Sequence, residues 1–191
     1  MIRSSFLRHG LALGGALLAT AGQAAPGDPG VEEAELVRLV NDHRRANGLA
    51  PVPLSRSLTL VAQLHVRDLA LNQPATGQDS RGLPCNLHSW SSAGPWRPVC
   101  YTGDHRYKEF MWSKPREITR GAYVGNGYEI SAGGSYAMTA AQALGQWQRS
   151  AEHHAVILQK GIWKTPWRAM GVGIRQGYAV IWFGREPDSA P

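Results

Sequence analysis

The feature that most limits the fold is a pair of apolar segments near the end of the chain, separated by a short turn. Residues 170–174 and 178–183 contain β-branched and aromatic side chains, and Arg175-Gln176-Gly177 lies between them. This pattern is typical of a β-hairpin. Because predicted helices come first along the chain and the last strands pair locally, we expect a mixed helix-and-sheet sandwich instead of repeated βαβ units.

Two helices are predicted in the first half of the chain. The first covers residues 31–47, where acidic side chains near the start complement the helix dipole. The second is capped by Ser55 or Ser57 and continues to about Asn72. Its apolar stripe has helical spacing and includes His65, which therefore faces the core or the wall of a cleft. Both roles, a core histidine bonded to a backbone carbonyl and a ligand, stay open.

The middle of the chain carries fewer periodic signals. Residues 73–123 are rich in Gly, Pro, Ser and Trp, and we predict a loop-dominated insertion whose aromatic side chains line a groove or form a small separate core. A strand is predicted over Tyr123–Ile130. Thr139 is predicted to cap a third helix.

The first 25 residues have the layout of a secretory signal peptide. Arg3 and Arg8 form a basic start, an apolar run follows over residues 11–21, and small residues come next. The run is too short to span a bilayer as a stable helix, so we expect a secreted or periplasmic chain without a transmembrane anchor; an uncleaved anchor is the alternative. We divide the remainder into a flexible leader (26–30), one domain (31–185) and a C-terminal tail (186–191).

The charge pattern excludes one class of partner. The net charge of +6 falls to +4 when Arg3 and Arg8 are removed with the signal peptide. The basic residues are scattered and form no nucleic-acid-binding arm, so no nucleic-acid partner is expected.

Two cysteines remain, Cys85 and Cys100. Export to an oxidising compartment favours a disulfide between them. An alternative is a Cys2His2 zinc site, because His88 follows the first cysteine by three residues and His105 follows the second by five.

Three distant polar residues form the candidate site. His88, Glu129 and His153 provide two imidazoles and a carboxylate, which are enough to hold Zn²⁺ or another divalent metal with one position open. Without metal, the same trio supports general acid/base chemistry, with the carboxylate orienting an imidazole. Glu129 lies between Tyr128 and Ile130 on a predicted strand and is expected to face opposite to them. Secondary candidates for the cleft are His65, Glu152 and His154.

Taken in order, these motifs resemble the CAP superfamily, which comprises cysteine-rich secretory proteins, antigen-five venom proteins, pathogenesis-related proteins and bacterial SCP-domain proteins. The resemblance covers roughly residues 33–184. The matching motifs are Leu39-Val40-Asn41-x-x-Arg44 with Gly48-Leu49, Leu60-x-x-x-x-His65-x-x-Asp68, Cys85-Asn86-Leu87-His88-Ser89, Gly127-Tyr128-Glu129-Ile130, Trp147-x-x-Ser150-x-x-His153 with Ile157-Leu158, and Gly171-Val172-Gly173.

The resemblance implies an α+β fold, a three-layer α-β-α sandwich with a central cleft that usually holds two histidines and two glutamates and binds divalent metal in some members. His88, Glu129 and His153 take three of these places. The family's Gly-Glu-Asn-Ile is here Gly-Tyr-Glu-Ile, which shifts the carboxylate by one residue. Ser150 stands where the second glutamate is expected, and Glu152 is a candidate substitute.

We consider three functional hypotheses. The first is an exported CAP-type binding module whose partner is an extracellular protein, a lipid or a sterol, with a divalent ion in the cleft. The second is a secreted hydrolase of peptidase or esterase type, with His88 or His153 as general base and Glu129 orienting it. The third is a buried polar network that organises the core and performs no chemistry.

Overall fold

The computed structural model describes residues 25–189, so the predicted signal peptide, apart from Ala25, lies outside it. Within this range the chain forms five α-helices and one sheet of three strands. The helices are α1 (Val31–Ala46), α2 (Arg56–Asn72), α3 (Lys108–Ile118), α4 (Ala140–Arg149) and α5 (Ala151–Ile157), and the strands are β1 (Gly127–Gly133), β2 (Ala169–Arg175) and β3 (Tyr178–Gly184). None of the helices in residues 25–189 has the length and apolar character needed to span a membrane.

The sheet is antiparallel, with the strand order β1-β3-β2. Strands β2 and β3 form the predicted hairpin, which is confirmed, and the turn between them places Gln176 at φ 51°. Strand β1 pairs with the other edge of β3, with Glu129 opposite Trp182. The central strand β3 is buried from Ala179 to Gly184 because both edges are paired and both faces are covered.

Helices cover the two faces of the sheet, which confirms the three-layer α+β sandwich. One core joins α1, α4 and α5 to the first face, with Trp147 completely buried. A second core joins α2 to the opposite face and includes Trp90 and Trp182. Helix α2 packs closely on β2 because Gly171 has no side chain: a Cβ there would lie 2.0 Å from the backbone carbon of Leu58.

Two predictions for the middle of the chain need correction. Residues 73–123 are not only loop, because α3 lies within them. That helix contains Pro115, whose missing N–H removes one helical hydrogen bond. A proline at such a position argues against a helix when only the sequence is considered. The strand begins at Gly127 and not at Tyr123. The backbone N–H of Tyr123 donates to the Thr119 hydroxyl, which ties this residue to the end of α3.

Candidate functional site

The site is built around Glu129 in the middle of β1. Side chains alternate along a strand, so Tyr128 and Ile130 pack into the core formed with α1, α4 and α5 while Glu129 faces the opposite layer. Its side chain has no solvent exposure. A carboxylate in such a position needs charged or hydrogen-bonding partners, since its burial alone is costly.

Three side chains supply those partners. Nδ1 of His65 lies 2.7 Å from Oε1, and Nδ1 of His88 lies 3.1 Å from Oε2. The Ser131 hydroxyl donates to Oε1 at 2.9 Å. Burial by itself raises the pKa of Glu129, but the two imidazoles outweigh it and lower that pKa from 4.5 to about 2. The carboxyl group is therefore ionised under physiological conditions.

His65 lies on α2 and is completely buried. Its Nε2–H donates to the carbonyl oxygen of Ser89 at 3.0 Å, and its ring stacks on Trp90 with centroids 4.1 Å apart. Nδ1 makes the 2.7 Å contact with Glu129 without the geometry of a directed hydrogen bond, so the contact is electrostatic. The two ring nitrogens of His65 therefore face two acceptors, the carbonyl oxygen of Ser89 and the carboxylate of Glu129. This geometry is consistent with a core histidine bonded to a backbone carbonyl, and His65 also contacts the Glu129 carboxylate.

His88 connects this buried pair to the solvent. Its ring is partly exposed and packs edge-on against Tyr101, with centroids 5.3 Å apart. Because Nδ1 faces Glu129, with the Ser131 hydroxyl also 3.3 Å away, the opposite ring nitrogen Nε2 is the one available to a ligand. Glu129 thus fixes the orientation of His88, as carboxylates do for catalytic and metal-binding histidines.

A cleft of about 540 Å³ opens beside His88. His153 lines it from α5, and burial together with the nearby His88 lowers the pKa of His153, so this imidazole is neutral near pH 7. Glu152 lies at the same cleft with an exposed side chain. The walls are mostly apolar and are formed by Met111, Ile130, Ala155, Val156, Ile162 and Trp163. The cleft therefore combines apolar walls with the imidazoles of His88, His105 and His153 and with Lys160.

The other sequence candidates lie elsewhere. His154 faces away from the cleft and contacts His43 of α1. Ser150 caps α5 by accepting from the backbone N–H of His153. Cys85 and Cys100 form the predicted disulfide, so the alternative of a Cys2His2 zinc site is wrong. Sequence reasoning missed Ser131, although its place two residues after Glu129 puts it on the same face of the strand.

The donor set tests the prediction of a metal in the cleft. Residues 25–189 contain no group of three or more His, Cys, Asp or Glu side chains arranged to hold a metal ion. Both oxygens of Glu129 already contact His65, His88 or Ser131, and the cleft lining also provides the imidazoles of His88, His105 and His153. This arrangement does not form a three-ligand centre, and zinc binding in the cleft stays a prediction.

Comparisons with known proteins agree with the fold. The structure is similar to an extracellular protein containing an SCP domain from Bacillus anthracis, with 17% identity and a TM-score of 0.52 over 81% of this chain. It is also similar to an outer surface protein from Borrelia burgdorferi, with 14% identity and a TM-score of 0.50 over 81% of this chain and 92% of the other. The match spans 40% of the Bacillus protein's length. A search of curated proteins found no match.

The sequence also matches a family described as the cysteine-rich secretory protein family over residues 37–165. This match includes His65, His88, Glu129 and His153, the four residues whose positions define the cleft and its buried support. Because the match covers more than half of the chain and the fold agrees, the resemblance is confirmed, and the protein belongs to the CAP family.

Proposed function

We propose that the protein is an exported CAP-domain binding module whose cleft holds a small amphipathic ligand. The observation that carries the proposal is the cleft of about 540 Å³, which is lined by apolar side chains and by the imidazoles of His88 and His153. Ligand sites typically combine apolar walls with a few oriented polar groups. Export is supported by the predicted signal peptide and by relatives described as extracellular and outer surface proteins.

The hydrogen-bonding capacity of His88 indicates which class of ligand fits the cleft. When His88 is neutral and donates Nδ1–H to Glu129, its Nε2 presents a lone pair to the cleft. A hydroxyl group satisfies that lone pair by donating a hydrogen bond, whereas a carboxylate offers His88 only acceptors and would have to pair with Lys160, which also lines the cleft. The apolar body of the ligand then packs against Met111, Val156 and Trp163. A lipid alcohol or a sterol has this combination of groups.

One observation favours a second function. Glu129 and His88 form an oriented carboxylate–imidazole pair beside a solvent-accessible cleft, which is the arrangement of a general base and its orienting acid. A hydrolase of peptidase or esterase type would then use His88 to activate water. The Ser131 hydroxyl lies 3.3 Å from Nδ1 of His88 and donates to Glu129, so it is not placed as a nucleophile in the cleft.

The experiment fills the cleft with a bulky side chain. Ala151→Trp places an indole at the cleft lining, and Ala141→Trp is the matched control, an exposed alanine near the start of α4. The probe is a fluorescent long-chain alcohol, compared with the fatty acid of equal length near neutral pH. We expect the alcohol to bind the parent and the control, to bind Ala151→Trp at least about tenfold more weakly, and to bind more tightly than the acid.

Equal binding to the parent and to Ala151→Trp would contradict the cleft as the ligand site. A peptidase and esterase panel separates the second function. Turnover that is lost in His88→Gln while the melting temperature is preserved would favour the hydrolase over the binding module.

A further inference from the structure

Two imidazoles outside the cleft converge between helices α1 and α5. Nε2 of His43 lies 2.8 Å from Nε2 of His154, and the ring centroids are 5.0 Å apart with the planes inclined by 29°. Both rings are partly exposed. His154 is adjacent to His153 in the chain, and consecutive residues of a helix point in different directions, so this pair is separate from the cleft.

The two helices hold the rings in fixed relation. Arg44, the neighbour of His43, is buried and extends from α1 to the end of α5. Its guanidinium donates to the carbonyl oxygen of Ile157 and to the side chain of Gln159, each at 2.6 Å. The backbone N–H of His154 is itself bonded to Ser150 within α5. The approach of the two nitrogens therefore rests on a connection between helices and not on two free side chains.

The second ring nitrogen of His43, Nδ1, also has a hydrogen-bonding partner. The side-chain amide of Gln148, on α4, lies 3.1 Å from Nδ1 of His43. With the amide nitrogen donating, the proton of His43 sits on Nε2 and is donated to Nε2 of His154. Rotation of the amide would present its oxygen to Nδ1–H instead, which frees both Nε2 lone pairs. Metal-binding histidines commonly have their second nitrogen held by such a group.

We propose that His43 and His154 form a two-histidine site for a divalent transition-metal ion such as Zn²⁺, with water completing the coordination. Imidazole nitrogen suits Zn²⁺, Cu²⁺ and Ni²⁺. Two nitrogens bound to tetrahedral Zn²⁺ at about 2.0–2.1 Å are about 3.3 Å apart, so the rings need to separate by only about half an ångström and tilt. The cation would take the place of the proton between the two nitrogens, and that proton would move to Nδ1 of His43, where the rotated amide oxygen of Gln148 accepts it.

The surroundings set the expected strength of the site. Lys160 is close enough for its charge to act on His43, and it opposes cation binding. Its side chain is exposed and flexible, so it can move away from the ion at low cost. With two protein ligands and this lysine nearby, the site is expected to be weaker than a structural zinc site with four protein ligands.

Zinc titration of the full chain by calorimetry near neutral pH tests the proposal. We expect His43→Gln and His154→Gln each to weaken zinc binding by at least about tenfold, and His88→Gln, which removes a cleft imidazole, to retain it. Gln148→Leu removes the group behind His43 and is expected to weaken binding by about tenfold, whereas Gln146→Leu on the same helix is the matched control and keeps the parent's affinity.

Nitrogen NMR of the parent chain gives a readout that does not depend on any variant. Added zinc should shift the Nε2 resonances of His43 and His154, and in the zinc-bound state the Nδ1 atoms of both rings should carry a proton. Absence of zinc binding, unchanged affinity in both His43→Gln and His154→Gln, or shifts confined to His88 and His153 would each overturn the proposal. The last result would assign zinc to the cleft instead.

Discussion

Replacement of Glu129 by glutamine changes a buried charge while keeping the shape of the side chain. In the parent protein the carboxylate contacts His65 and His88 and accepts from Ser131. The amide in Glu129→Gln carries no charge, so the stabilising contacts between the ionised carboxylate and the two imidazoles are lost. Removal of one partner from a buried polar contact is destabilising, because the remaining polar group stays in a poorly solvated position.

The expected loss in free energy of unfolding follows from the lowered pKa of Glu129. Its pKa is about 2 in the folded protein, against an ordinary value of 4.5. A difference of this size corresponds to about 3 kcal/mol of free energy of unfolding. Because the folded-state pKa is the lower one, this stabilisation is complete above the ordinary pKa. It is lost as the pH falls from about 4.5 to about 2.

The assay is urea unfolding, followed by tryptophan fluorescence, of the parent and of Glu129→Gln over a series of pH values. We expect the variant to be about 3 kcal/mol less stable near neutral pH, and the difference to shrink towards zero near the folded-state pKa, where the parent carboxyl is protonated. Glu152→Gln, an exposed change at the cleft, is the control and should stay within about 0.5 kcal/mol of the parent. A difference between the parent and Glu129→Gln that is constant over the whole pH range would refute the stabilisation by the ionised carboxylate.

Two further predictions concern the scaffold. The double variant Cys85→Ser, Cys100→Ser releases a loop of 15 residues and is expected to lower the free energy of unfolding by about 3 kcal/mol, measured by urea unfolding; a loss below the error of the measurement would contradict it. Gly171→Ala places a methyl group against the backbone of α2 and should cost about 1–3 kcal/mol. Gly103→Ala is its control, because a Cβ at that position meets no atom within 4 Å. Equal melting temperatures for the two variants would show that α2 can move away from β2 without loss of stability.

The sequence predicted the elements that follow simple periodicity. The stripe of α2, the cap at Thr139 and the hairpin near the C-terminus are local patterns, and the structure places α2, α4 and the hairpin within a residue or two of expectation. Helix α3 was missed because Pro115 and the buried Lys114 interrupt an amphipathic pattern. Lys114 is accommodated by tertiary partners, the carbonyl of Arg97 and the carboxylate of Glu117, which the local sequence does not reveal.

Most residues of the site could be predicted from the sequence, but the contacts between their side chains could not. Alternation along β1 correctly predicted that Glu129 faces away from Tyr128 and Ile130. It could not predict that α2 carries His65 to the same carboxylate, because that contact depends on how closely helix and sheet approach.

That contact also changes what the cleft can do. A carboxylate engaged by two imidazoles and a hydroxyl has little capacity left for a metal or a ligand, so it acts through His88. Although the family's glutamate is shifted by one residue here, Glu129 still contacts His88 at the cleft. In the proposed function the ligand would meet the imidazole edge of His88, and Glu129, which contacts Nδ1 of that ring, would set which hydrogen bond the edge can make.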